Sequence, residues 1–173
     1  MGRLISITPV QRGGIVNISH QHANIHVGRS FVASDYDSNI ASAVPKYWSL
    51  AAPAVKEMHF RVALGTLKGA IVQFFEGLTI TVQGTALAAF NRQRNLAATP
   101  TLVIKYDPTV TVDGTQIWVK RIGSSGGGGN DSPGVLDTEH EIILKKSTDY
   151  VLKVTSDENG NDAGLTLSWY EED

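Results

Sequence analysis

The strongest regularity along the chain is an alternation of apolar and polar residues with a period of two. In "EMHFRVAL", Met58, Phe60, Val62 and Leu64 fall on one side, and His59, Arg61 and Ala63 on the other. In "LTITVQ", Leu78, Ile80 and Val82 oppose Thr79, Thr81 and Gln83. Near the end, Leu165, Leu167 and Trp169 oppose Thr166, Ser168 and Tyr170. Successive strand side chains point to opposite faces, so each segment predicts a strand with one core face and one wetter face. "GAIVQFFE", "TLVIKY", "TQIWVKRI", "EIILK" and "DYVLKVT" predict further strands, because they are rich in β-branched and aromatic residues.

Turn signals separate these runs. Asp113-Gly114 and Asn159-Gly160 are hairpin dipeptides, and Leu67-Lys68-Gly69 sits between two strand-like runs. No long segment carries a helical period. "GTALAAFNRQR" fits a turn or two of helix as well as a strand running into a loop. About eight to ten short strands with frequent turns predict an all-β fold: an antiparallel β-sandwich or jelly-roll-like domain.

Two regions break the pattern. Residues 1–55 are less regular and are expected to form an N-terminal arm and irregular segment with one or two early strands. Within them "SDYDSNIASAVPKYWSLAAPAV" reads as a long connection, or an arm lying on a surface. Residues 56–173 then form the sandwich, and the whole is one structural unit. The second break is the Gly-rich loop "GSSGGGGNDSPG", expected to be a mobile link between two strands. No lysine–threonine or lysine–serine pair closes it and no helix follows, so it is not a phosphate cradle.

Composition narrows the function. The chain has 173 residues, 42% of them hydrophobic, and a formal net charge of -2. Without a basic excess, no direct nucleic-acid partner is expected. With no cysteine, disulfides, zinc–thiolate sites and cysteine nucleophiles are ruled out. No apolar run is long enough for a membrane span, and no membrane partner is expected. "MGRLIS" matches a myristoylation template through Gly2 and Ser6, but nothing else in the chain supports a lipid anchor.

Three of the five histidines crowd into "NISHQHANIHVGRSF". If Ser19 to Val27 is one strand, His20, His22 and His26 share a face. An HxH pair can grip zinc with a third ligand from a neighbour, and His59, Asp35 or Asp37 could supply it. No HExxH motif or second ligand motif supports a catalytic metal. The reading favoured here is a polar strand face used in packing or subunit contact, with no metal and no cofactor. Glu139, Glu141, Glu171, Glu172 and Asp173 show no pairing that suggests acid–base catalysis. Trp48, Trp118 and Trp169 could form a sugar-stacking platform, although strand tryptophans are more often core.

The run "FFEGLTITVQGTALAAFNRQRN", with "IHVGRSF" upstream and "LTLSWYEE" at the end, resembles a family of tailed-bacteriophage head decoration (cement or capsid-stabilising) proteins. The residues that carry the resemblance are His26, Gly28 and Phe31, then Glu76, Gly77 and Thr79, then Gly84 and Thr85, then Asn91 and Arg94. It spans the chain from about residue 20 onward. It implies a non-enzymatic β-sandwich or jelly-roll subunit, often trimeric, on the outside of an expanded head. There it would bridge major capsid protein subunits. On that reading His20, His22, His26, Arg29, Asn91, Arg92 and Arg94 are the candidate subunit or capsid interface. The rivals are a glycan- or receptor-binding module of a phage fibre and a cupin-like metal enzyme.

Overall fold

A computed structural model describes residues 19–124, 126, 132–138 and 141–173. The myristoylation template, Glu139 and most of the polyglycine run lie outside these residues. The described residues form an antiparallel two-sheet sandwich and one short helix, α1 (His20–His26). The first sheet holds β1 (Ser30–Ile40), β3 (Glu57–Thr66), β7 (Ala89–Asn91), β11 (Gly134–Asp137), β12 (Ile142–Leu144) and β14 (Asn161–Glu172). Its order is β11-β3-β14-β1-β7, with β12 also pairing β3. The second holds β2 (Lys46–Ala51), β4 (Ala70–Glu76), β6 (Thr85–Ala86), β8 (Val103–Tyr106), β10 (Thr115–Ile122) and β13 (Asp149–Ser156), ordered β10-β4-β13-β2-β8-β6. A separate ribbon pairs β5 (Thr79–Val82) with β9 (Thr109–Val112).

With β5 to β9 set aside, the two sheets read β11/β12-β3-β14-β1 and β10-β4-β13-β2. The last strand lies between the first and third, and the penultimate strand between β2 and β4. That is jelly-roll connectivity, the tighter of the two expected forms. Residues 77–114 are an insertion between β4 and β10. They lengthen both sheets at one side through β6, β7 and β8, and they lay the β5–β9 ribbon over the outside of the second sheet.

The segment expected as a connection or surface arm is instead two central strands. β1 pairs with β14 from Ser30 to Ile40, and β2 pairs with β13 from Lys46 to Ala51. The described part of residues 1–55 therefore belongs to the sandwich, and no boundary falls near 55. Its alternation was hard to see because the inward positions Asp35 and Asp37 are polar. They close an open side of the sandwich: Trp48 Nε1–H donates to Asp35 at 2.7 Å, and Lys46 lies 2.9 Å from Asp37 and 2.8 Å from Asp107.

The predicted core faces are the core. Met58, Phe60, Val62, Leu64, Leu165, Leu167 and Trp169 are buried. Phe74 stacks on Phe60 and Tyr150 at 6.0 and 5.5 Å, and Trp48 and Trp169 are fully enclosed. Each such side chain contributes about 1.5–3 kcal/mol by leaving water. Leu78 and Ile80 also turn inward, but toward a satellite cluster with Phe75, Val151, Tyr47 and Val110, while Val82 is exposed. Leu67-Lys68-Gly69, Asp113-Gly114 and Asn159-Gly160 join β3–β4, β9–β10 and β13–β14 as expected. "GTALAAFNRQR" forms two short strands, β6 and β7, rather than helix.

Candidate interface on the outer face of the first sheet

Residues 20–26 form a helix, not the strand considered above. Ser19 caps it, its side chain accepting from His22 N–H at 3.3 Å. Gly28 ends it at φ 75°, and the N–H groups of Gly28 and Arg29 return to the carbonyls of Ile25 and Asn24. Glycine takes that left-handed conformation without strain and so closes the last turn. The helix splits the three histidines. His20 turns to the sheet, with Nε2 2.9 Å from Glu172 and its ring edge on Tyr170. His22 and His26 stay exposed and face each other, Nε2 to Nε2 at 2.8 Å.

Beneath α1 lies a polar cluster that the sequence did not reveal as a unit. His59 stacks on Tyr170 at 4.3 Å and 12°. Its Nδ1 is 2.9 Å from the Tyr170 hydroxyl and 3.2 Å from Glu141, and its Nε2 is 3.7 Å from Glu172. Tyr170 donates to Glu141 at 2.8 Å, and Gln21 of α1 donates to the same carboxylate at 3.2 Å. Burial alone would raise the Glu141 carboxyl, but the hydrogen bonds from Tyr170, Gln21 and His59 outweigh it and hold the group below the usual range. Burial and the bond to Glu141 push the Tyr170 phenol well up. The carboxylate is thus ionised and the phenol stays a donor, so the cluster works as a clamp that seats α1 on the sheet. The hollow beside it measures about 40 Å³, room for a water or two.

Arg29 reaches Asp173 at 3.4 Å beside this clamp. Asn91 is buried and bonded inside the chain at both ends of its amide: Nδ2–H donates to Gly28 O at 2.7 Å, and Oδ1 accepts from Gln93 N–H at 2.8 Å. It is therefore a lock between the helix end and β7, not a surface contact. The far end of the β7–β8 connection is locked by buried Glu171, which accepts from Thr101 N–H at 2.7 Å, Thr101 Oγ1–H at 2.8 Å and Leu102 N–H at 3.3 Å. Arg92 and Arg94 sit on this segment, anchored at both ends. Arg94 lies 5.2 Å over the Phe90 ring, which is half exposed.

The outer face between these elements is floored by small side chains. Cross-strand rows read Arg61, Ser168, Val32, Phe90; then Ala63, Thr166, Ser34; then Gly65, Gly164, Tyr36. Val32, Ala63, Thr166 and Ser168 of the first two rows floor a trough of about 370 Å³ bordered by Arg61, Arg92 and Asp137. The structure thus brings His20, Arg29 and Arg92 to one face and one end of the molecule, with Arg94 next to them.

The other candidates lie elsewhere. Asp35 and Asp37 serve Trp48 and Lys46 and do not approach the histidines. Among the described residues no group of three or more histidine or carboxylate side chains is arranged to hold a metal ion. Trp48 and Trp169 are core residues and Trp118 stacks on Phe74, so the three do not form a platform. Among the described residues no helix is long and apolar enough to cross a membrane. Comparison with protein-family models and with curated proteins gives no match.

Proposed function

We propose that the chain is a non-enzymatic structural virion protein. It binds the outside of an expanded tailed-phage head and stabilises it by bridging major capsid protein subunits, as a homotrimer that touches neither nucleic acid nor membrane. The observation that carries this reading is the outer face of the first sheet. A broad, shallow, small-residue surface is edged by arginines on a segment locked at Asn91 and Glu171. Such a face suits many modest contacts repeated by symmetry better than capture of a small molecule. The residues of the phage-family resemblance support it, since Gly28 and Asn91 build that lock.

The glycan-platform and cupin-like readings have less support. A tryptophan glycan platform is incompatible with two enclosed indoles. A cupin-like centre would sit between the sheets, where Trp48, Trp169, Phe60, Phe74 and Tyr150 fill the space. The test is to mix the purified chain with expanded, undecorated tailed-phage heads and to image them. Ordered density at threefold positions is expected, weakened by R92E/R94E. Bare heads at saturating protein would overturn the proposal, and a monomer by sedimentation would overturn the trimer.

A further inference from the structure

The helical form of residues 20–26 changes what two of the histidines can do. On a strand, His22 and His26 would be two pleats apart. In α1 they are four residues apart on one face, with ring centroids 4.6 Å and Nε2 atoms 2.8 Å from each other. Both are exposed, and among the described residues each ring's polar partner is the other. At that spacing one Nε2–H donates to the other ring's lone pair. When both rings carry their hydrogen on Nδ1 instead, two imidazole lone pairs stand 2.8 Å apart on the exposed face of the helix.

We propose that His22 and His26 form a two-point imidazole chelate for a tetragonal divalent transition metal, Cu²⁺ ahead of Ni²⁺, with water in the remaining positions. The spacing selects the ion. With a metal–nitrogen bond of about 2.05 Å, a nitrogen separation of 2.8 Å subtends about 86° at the metal. A tetragonal ion wants about 90°, whereas tetrahedral zinc wants about 109° and would need the nitrogens about 3.3 Å apart. Imidazole ligation also favours copper in the Irving–Williams order. His20 is not a third ligand, because it is turned to the sheet and held by Glu172 and Tyr170. A bound ion would staple one turn of a seven-residue helix that is marginal on its own.

The test titrates the full chain with Cu²⁺, Ni²⁺ and Zn²⁺ in a non-coordinating buffer, by calorimetry and, for copper, electron paramagnetic resonance. Wild type should show a copper site with coupling to two imidazole nitrogens. His22→Gln and His26→Gln should each weaken that site at least about tenfold, because a chelate becomes a single contact. His20→Gln should leave it unchanged. Circular dichroism confirms that the variants fold, and the double variant measures copper bound elsewhere. Equal copper binding by wild type and the double variant would overturn the site. Zinc binding tighter than nickel would overturn the tetragonal assignment.

Discussion

Glu171 gives the sharpest test of how the arginine-bearing segment is held. Its side chain is fully enclosed, and it has five donors. Oε1 accepts from Thr101 N–H at 2.7 Å, Leu102 N–H at 3.3 Å and Trp169 Nε1–H at 3.3 Å. Oε2 accepts from Thr101 Oγ1–H at 2.8 Å and from Lys56 at 3.2 Å. Glu171→Ala strands the Leu102 amide and the Trp169 indole N–H away from water, breaks the bonds to the more exposed Thr101 and leaves Lys56 without its carboxylate. At about 1–3 kcal/mol for each unpaired buried donor, with partial relaxation, the loss should be about 3–5 kcal/mol. Glu171→Gln keeps a carbonyl for the three N–H groups and can turn its amide toward the Thr101 hydroxyl. Only the partly exposed Lys56 loses its partner, so this variant should cost about 1 kcal/mol. The assay is urea unfolding followed by hydrogen exchange. The amides of Thr101 and Leu102 should lose protection in the alanine variant and keep it in the glutamine variant. A loss below about 1 kcal/mol for Glu171→Ala, with Thr101 still protected, would refute the reasoning.

Other expectations follow the same logic. Asn91→Ala removes the bonds to Gly28 O and Gln93 N–H and should cost about 2 kcal/mol, read as a lower urea midpoint and faster exchange across residues 92–96. Gly84→Ala places a Cβ against the Tyr106 carbonyl at a position with φ 74°, so it should cost about 2 kcal/mol or more by thermal unfolding. Trp169→Phe, which loses the bond to Glu171, should destabilise more than Trp118→Phe, because the buried Trp118 Nε1–H has no partner among the described residues. The hydrogen bond from Lys46 holds the Asp37 carboxyl below its usual value despite some burial. Its contribution is therefore present above the unfolded value near 3.8 and fades as pH falls through the lower folded value. Asp37→Asn should thus cost about 1 kcal/mol near neutrality and nothing at the acid limit, a difference that denaturant titrations across pH would detect.

The sandwich was legible because a half-buried strand writes its two faces into the sequence. Met58 to Leu64 and Leu165 to Trp169 alternate, and all of their apolar positions are enclosed. The two faces are not legible where inward positions are polar. β1 hides behind Asp35 and Asp37, which face inward yet are matched by Trp48 and Lys46. Partners thirteen and nine positions along a chain that has switched sheets leave no periodic signal. The jelly-roll order was likewise invisible. It depends on β14 inserting between β1 and β3, which pairs residues about 100 to 140 positions apart.

The helix is a different kind of miss, and the site turned on it. "HQHANIH" has alternating histidines at its start, which look like strand, but its ends obey helix rules: Ser19 caps it and Gly28 stops it. Weighing the ends above the middle would have found it. The consequence is chemical as well as geometric. As a strand, the segment offers one row of imidazoles for a seam. As a helix, it gives His20 to the clamp with Glu172 and Tyr170, and leaves His22 and His26 as an exposed pair. The clamp was equally unreadable, because His59, Glu141 and Tyr170 come from three strand regions that meet only after the first sheet is assembled. Gln21 ties α1 to the Glu141 carboxylate that Tyr170 and His59 also hold, beside the bonds of His20 and Asn24 to Glu172. Glu141→Gln should therefore loosen the helix while leaving the sandwich core, and its unfolding cooperativity, intact. Equal protection of the α1 amides in that variant and in wild type would mean that the helix is held by Glu172 and Asn24 instead.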